Sequence, residues 1–307
     1  MQTVEPIYGD LIAERCDYSF GDHGGVICGI SGSFMKSAHH SNTEFVEFVN
    51  SFKQKRPINL FIDNVRLYRR PIPTKCQVDA DWIRFLHEKN DLLKLCSRLK
   101  HHTFRIFTNL DDTQIDSCID GRIPSNVINV FAVNCLFFNQ TLRPAYLGLQ
   151  RKMRPGDNRV ELLKTKMTVD EAPTKLLYVN HKDWTNQSIR GPIKPIFQPF
   201  DWATVRDAGL DYSDYLSEIK DHEFMICPEG NGVDCHRNYE VLYLRRVPVM
   251  VKNNYLQELL AGLPILWVDS WGSINRELLE SNRNLLDRAR STDVGLLDWN
   301  HFSYRYQ

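Results

Sequence analysis

The segment running Phe224-Met-Ile-Cys-Pro-Glu-Gly-Asn-Gly-Val-Asp-Cys-His-Arg-Asn-Tyr-Glu240 carries the residue types and spacing best suited to chemistry. A short apolar run enters a loop with Gly230 and Gly232, and a helix is expected to open near Asp234. Glycine lets a backbone come close to a bulky group, and the first N–H groups of a helix form a ready anion site. Arg237 and Glu240 are three residues apart, so both project from one face of that helix. An arginine there can hold a diphosphate through charge-assisted bonds of roughly 1.5–3 kcal/mol each, and a glutamate one turn on can accept two ribose hydroxyls. Glu229, Gly230, Asn231, Gly232, Asp234, Arg237 and Glu240 thereby describe a cradle for a nucleoside diphosphate. A surface ion pair worth under about 1 kcal/mol, beside an ordinary glycine turn, accounts for the same residues.

The elements that would position this loop follow from the pattern along the chain. Short β-rich runs alternate with longer helical patterns through both halves, the mark of βα units and parallel sheets. Strands are expected over 25–30, 58–63, 104–109 and 126–133, with helices over 43–55 and 80–99 between them. In the second of these helices Trp82, Phe85, Leu86, Leu92, Leu93 and Leu95 form an apolar stripe for packing on a sheet. Residues 151–172 turn charged and broken, which suits a linker. A second series has strands over 175–180, 223–227, 248–251 and 264–268 and helices over 212–220, 234–244 and 274–286. The expected organisation is α/β: a first domain over 1–150, a linker over 151–172, a second domain over 173–286, and a segment over 287–307. The aromatic residues Trp299, Phe302, Tyr304 and Tyr306 of that last segment would dock it back on the first domain. Two Rossmann-like halves of this kind hold ligands at the strand C-termini, in the cleft between them.

Composition narrows the partners. The chain has 307 residues, and its 38 basic side chains cancel its 38 acidic ones, so no long-range field of one sign gathers nucleic acid or an anionic membrane. The first residues, MQTVEPIYGDLIAER, carry acids and no apolar core, so neither a signal peptide nor an anchor is expected there. The uncharged stretch 123–142 contains four Asn, a Pro and a Gln, which hydrocarbon does not tolerate, so no membrane span is expected. Eight scattered cysteines without a C-x-x-C pair read as free thiols in a reducing, cytoplasmic setting.

The second half resembles the exostosin-like glycosyltransferases, including their shorter members in bacteria and large viruses. Pro228, Gly230, Gly232, Asp234, His236, Arg237, Glu240 and Leu242 match that family's Pro-x-Gly-x-Gly-x-Asp-x-His-Arg-x-x-Glu-Ala-Leu pattern, and Pro248-Val-Met-Val follows as a strand. Leu263-Pro-Ile-Leu-Trp-Val-Asp-Ser-Trp271 is similar to the family's Leu-Pro-Val-Leu-x-Val-x-x-Trp. Leu176-Leu-Tyr-Val-Asn-His looks like its first C-terminal strand, and Thr185, Asn186 and Arg190 like its Thr-Asn-x-x-x-Arg turn. Phe131-Ala-Val-Asn134 is a weaker echo. Arg245 departs from the pattern, which has glycine after the helix; if that residue needs a positive φ, Arg costs on the order of 1 kcal/mol.

The resemblance implies a GT-B fold and an inverting transfer of sugar from a nucleotide-sugar donor to a hydroxyl of an oligosaccharide or glycoprotein acceptor, with no obligatory metal or other cofactor. It puts Arg190 and Arg237 on the diphosphate, Glu240 on the ribose, and Asn186 and the 229–232 loop against the donor. A uridine-diphosphate sugar is the expected donor, with UDP-xylose the first to test. In such a fold the base comes from the first domain, on a loop that follows a strand. Asp112, in Phe107-Thr-Asn-Leu-Asp-Asp112, is the first candidate; Asp63 and His39 follow. Asp79, with Asp81, forms a D-x-D pair that could hold a metal and a sugar diphosphate in the other large transferase fold. Its place before Trp82, at the start of a helix, fits capping better, for about 0.5–2 kcal/mol. A nucleotide-sugar epimerase or hydrolase, or a non-catalytic glycan-binding partner of another transferase, could use the same cradle.

Overall fold

The computed structural model describes residues 6–7, 11–12, 15–19, 42–62, 92–108, 115, 119, 121–150, 158–167, 171–291 and 297. The expected strand over 25–30, the first part of the expected helix over 80–99, and the aromatic tail lie outside these residues. The chain is α/β and divides into two compact units: Gly9–Leu147, and Met1–Tyr8 together with Gly148–Gln307. Each contains a five-stranded parallel sheet.

In the first unit the strands β1 (Tyr18–Ser19), β2 (Ile58–Ile62), β3 (Phe104–Thr108), β4 (Val127–Ala132) and β5 (Leu142–Pro144) lie side by side in chain order. Helices α1 (Asn42–Ser51) and α2 (Leu92–Arg98) fall between them in sequence. Buried apolar residues fill β2 and alternate along β3, while α1 buries Phe45 and Val49, one turn apart, and α2 buries Leu92, Leu93 and Cys96. That is the pattern helix-on-sheet packing requires.

The second unit contains α3 (Arg159–Met167), β6 (Lys175–His181), α4 (Gln187–Arg190), α5 (Ile193–Phe197), β7 (Ala203–Asp207), α6 (Tyr212–Asp221), β8 (His222–Ile226) and α7 (His236–Tyr243). It continues through β9 (Val247–Val251), α8 (Asn254–Leu259), β10 (Leu266–Val268), α9 (Arg276–Ser281) and α10 (Asn284–Arg290). Its sheet order is β10-β9-β8-β6-β7. The chain therefore steps outward from β6 to β7 and crosses back over to β8. A right-handed crossover puts helices on opposite faces before and after such a reversal. One core accordingly unites Leu177 and Val179 of β6, Phe224 and Ile226 of β8, and Val247 and Val249 of β9 with Ile193 and Phe197 of α5, Leu279 of α9 and Leu286 of α10. Helices α6 and α7 contact β8 and β9, respectively, and α3 packs on both of these helices.

Several elements differ from expectation for visible reasons. The stretch taken as a linker contains α3, because Val160 and Leu163, three residues apart, give its charged sequence an apolar edge that is buried. The expected helix over 274–286 is two helices, α9 and α10, since Asn282 ends the first and its amide donates back to Leu278 O at 2.8 Å. Strand β7 was not expected, as it is an edge strand with no fully buried residue and hence no apolar alternation. The N-terminal residues belong to the second unit. Leu149 N–H donates to Ile7 O at 2.8 Å, and Ile7 N–H donates to the Tyr243 hydroxyl at 2.7 Å. Gly148 makes this approach possible: its φ is +69°, and a Cβ there would lie 2.3 Å from Ile7 O.

Candidate functional site

In open parallel sheets ligands bind beyond the carboxyl ends of the strands, at the point where the strand order reverses. In the second unit that point lies between β6 and β8. The segments leaving these two strands are the 3-10 turn Asp183–Asn186 with α4, and the loop 227–235 that leads into α7. Asn186, Arg190, Glu229, Gly230, Asn231, Gly232 and Asp234 stand on these segments, and Arg237 and Glu240 on α7.

The two segments are tied together by side chains donating to backbone. Asn186 Nδ2 donates to Gly230 O at 2.9 Å. Arg190, 5% exposed, donates from Nε to Glu229 O at 2.7 Å, from Nη2 to Pro228 O at 3.2 Å, and from Nη1 to Lys182 O at 3.3 Å. A longer contact joins Nη2 to Cys235 Sγ at 3.8 Å. These partners engage four of the five N–H groups of a guanidinium. In the structure Arg190 clamps the glycine loop onto the β6 turn, and one N–H lies beyond these contacts. Burial, and then Arg237, lower its pKa from the ordinary value. Gly230 is needed beneath this clamp, because a Cβ there would meet Arg190 Nη2 at 2.9 Å and Cys235 Sγ at 3.3 Å. Gly230 N–H in turn donates to Gly232 O at 3.0 Å, closing the turn.

Asp234 is 1% exposed and braces the start of α7 rather than facing a ligand. It accepts from Asn238 Nδ2 at 3.0 Å and from the Tyr239 hydroxyl at 2.5 Å. Asn231, by contrast, is exposed at the tip of the loop. His236 opens α7 and bonds Gly148 O through Nδ1 at 2.8 Å, which makes Nδ1 the protonated nitrogen when the ring is neutral.

Arg237 and Glu240 occupy a second cluster, assembled from α6 and α7. Glu240, 8% exposed, accepts from the Tyr212 hydroxyl on one oxygen and the Tyr215 hydroxyl on the other, both at 3.0 Å. Burial, and then the charge of Glu240, raise the pKa of both phenols, so they stay protonated donors. A carboxylate has about four acceptor positions, so two remain beyond the tyrosines. The Arg159 guanidinium lies 5.3 Å over the Tyr212 ring. Burial disfavours the charge of Arg237, the neighbouring Glu240 carboxylate favours it, and its pKa rises above the ordinary arginine value. Its Nε is buried without a hydrogen-bond partner among the described residues.

Sequence reasoning passed over His181, the last residue of β6. The side chain is fully buried, with Nδ1 2.9 Å from Asp183 Oδ1, which also pairs with Lys194 Nζ at 3.1 Å. Burial, and then Arg237, bring its pKa down to about 4 against the pull of Asp183, with Lys194 and Arg190 adding to the fall. The ring is therefore neutral at physiological pH. Tyr212 and Tyr215 were also missed, although their three-residue spacing on one helix was a readable signal.

Asp112, Asp63, His39 and Asp79, the candidate bases, lie outside the described residues. Within the described residues, no group of three or more His, Cys, Asp or Glu could hold a metal ion, and no helix is long and apolar enough to cross a membrane. Cys16, Cys96, Cys135, Cys227 and Cys235 are free, and burial pushes the Cys235 thiol up to about 11. No family model matches the chain, and no curated protein matches it.

Proposed function

We propose that the chain is an inverting glycosyltransferase of the GT-B type, and that its second unit binds the nucleotide-sugar donor. One observation carries this reading. The Asn186–Arg190 turn and the 228–232 glycine loop, distant in sequence, are bonded to each other at the strand-order reversal of a parallel sheet, and the helix leaving that loop presents Arg237 and Glu240. The motif resemblance supports the same assignment. A uridine-diphosphate sugar is the proposed donor, and UDP-xylose the first to test.

In this reading Arg237 and the N-terminal N–H groups of α7 neutralise the diphosphate, both as it binds and as it departs. That stabilisation is largest where charge develops in the transition state. Glu240, oriented by Tyr212 and Tyr215, receives ribose hydroxyls on its remaining lone pairs. Arg190 holds the loop in shape so that these groups are preorganised. Inversion needs one base to take the proton of the acceptor hydroxyl as it attacks. Asp112, Asp63 and His39 are proposed for that step. Of Asp112→Asn, Asp63→Asn and His39→Gln, at least one is expected to lower turnover by more than about tenfold, and three near-normal variants would refute the assignment.

The donor site is tested by thermal denaturation against nucleotides and nucleotide-sugars, with and without EDTA. A ligand at a hundredfold excess over Kd adds about 2.7 kcal/mol of stability. The expected result is a shift with the uridine series that survives EDTA and disappears in Arg237→Ala. No shift with any nucleotide, or an equal shift in Arg237→Ala, rejects the site.

A further inference from the structure

Next to the loop, at the carboxyl ends of β8 and β9, the second unit contains a cavity of about 230 Å³. Ile189 of α4, Met250 and Val251 of β9, Leu256 of α8 and Trp271 give it an apolar wall, and Glu229 supplies its one carboxyl group. Asn253 fixes the position of that carboxyl. Its Oδ1 accepts from Tyr255 N–H and Leu256 N–H at the start of α8, which turns its Nδ2 toward Glu229 Oε1 at 3.4 Å. Burial raises the Glu229 pKa, and the Asn253 amide opposes the rise.

The chemistry of this wall selects its occupant. A sugar ring carries a hydroxyl on most of its carbons, and in a cavity with one carboxyl most of them would be desolvated without partners. A nucleobase has two apolar faces that suit aromatic and aliphatic surface, and carries its polar atoms around the ring edge. Among these atoms is an N–H donor, which a carboxyl oxygen accepts. The backbone of Glu229 is also the carbonyl that Arg190 holds, so cavity and phosphate loop are parts of one rigid turn.

We infer that this cavity receives the base of the bound nucleotide, with Glu229 accepting an N–H of its polar edge and Trp271 forming part of the wall that covers its face. The inference rests on the proposed donor site and adds to it the residues that read the base; in the uridine case the donor is N3–H.

Calorimetric titration of the full chain with UDP and, separately, with inorganic pyrophosphate tests it. UDP is expected to bind at least about tenfold more tightly than pyrophosphate. Glu229→Leu should weaken UDP by about tenfold or more and leave pyrophosphate unchanged, while Glu229→Gln, which retains an acceptor oxygen, should keep UDP affinity within about threefold. Trp271→Ala should reproduce the selective loss, and serves if Glu229→Leu does not fold. If both variants leave the ratio of the two affinities unchanged while Arg237→Ala weakens both ligands, the base lies elsewhere and the donor site stands. If the unmodified protein binds neither ligand, both readings fall.

Discussion

Arg190 and Arg237 flank the same loop, yet their surroundings are opposite. Arg190, at the end of α4, donates to the carbonyls of Lys182, Pro228 and Glu229. Arg237, in the first turn of α7, stays cationic beside the Glu240 carboxylate despite the cost of burial, with a buried Nε that no described group accepts from. One guanidinium holds the loop together through its carbonyls, and the other leaves its Nε without a partner among the described residues. Two arginines expected to act alike on the diphosphate thus stand in different surroundings; under the proposed function Arg190 is scaffold and Arg237 binds, and variants at each should fail in different ways.

The largest effect is expected on the scaffold side. Arg190→Ala leaves three backbone carbonyls without their donor in a buried turn, and each such loss costs about 1–3 kcal/mol. The second unit should lose about 3–5 kcal/mol of stability, read as a lower denaturation midpoint in urea, with Arg190→Lys restoring only part because an ammonium cannot span the same carbonyls. A fully stable Arg190→Ala protein that had merely lost nucleotide affinity would reverse the division.

Next in size is a pH effect from His181, at the end of β6. Its folded-state pKa falls from 6.5 to about 4, so between these values the unfolded chain holds the proton that the folded one refuses. Stability should therefore drop as pH falls through that window, by about 3 kcal/mol in all, with no further loss from this group below it. His181→Gln should remove that part of the slope in denaturation curves recorded across the window. An unchanged slope would show that the folded ring takes up its proton as readily as the unfolded chain does, so that Asp183 offsets burial and the neighbouring cations.

The binding side comes third. Arg237→Ala should weaken UDP by about a hundredfold, which corresponds to roughly 2.7 kcal/mol, while the denaturation midpoint of the free protein moves less than in Arg190→Ala. A loss of stability equal to that of Arg190→Ala would make Arg237 a second scaffold residue.

What was legible in the sequence separates along the same line. Apolar runs located β2, β3, β4, β6, β8 and β9 to within a residue or two, because buried parallel strands require them. The loop residues were legible too, since glycines and an i, i+3 pair leave local marks. The role of Arg190 was not, because it depends on which carbonyls converge on it from 38 and 39 residues away. His181 carried only the signal of ending an apolar strand, and its neutrality comes first from burial and then from cations on α7, α5 and α4 that no window along the chain contains. Edge strand β7 left no pattern because nothing buries it fully.

The smallest effect concerns the end of α7, where the family pattern has glycine and this chain has Arg245. Its φ is +58°, the left-handed conformation in which a Cβ is strained, and its Nη1 donates to Arg290 O at 2.7 Å. Side chain and backbone therefore oppose each other at one residue, and a single substitution would mix the two. Arg245→Ala removes the bond and keeps the Cβ; Arg245→Gly removes both. The difference between these two variants isolates the backbone cost, and Arg245→Gly should be the more stable by about 1 kcal/mol in parallel denaturant titrations. Equal stabilities would mean that the turn after α7 relaxes out of the left-handed region once the bond to Arg290 is gone, and that this bond, rather than the helix end, imposes the conformation.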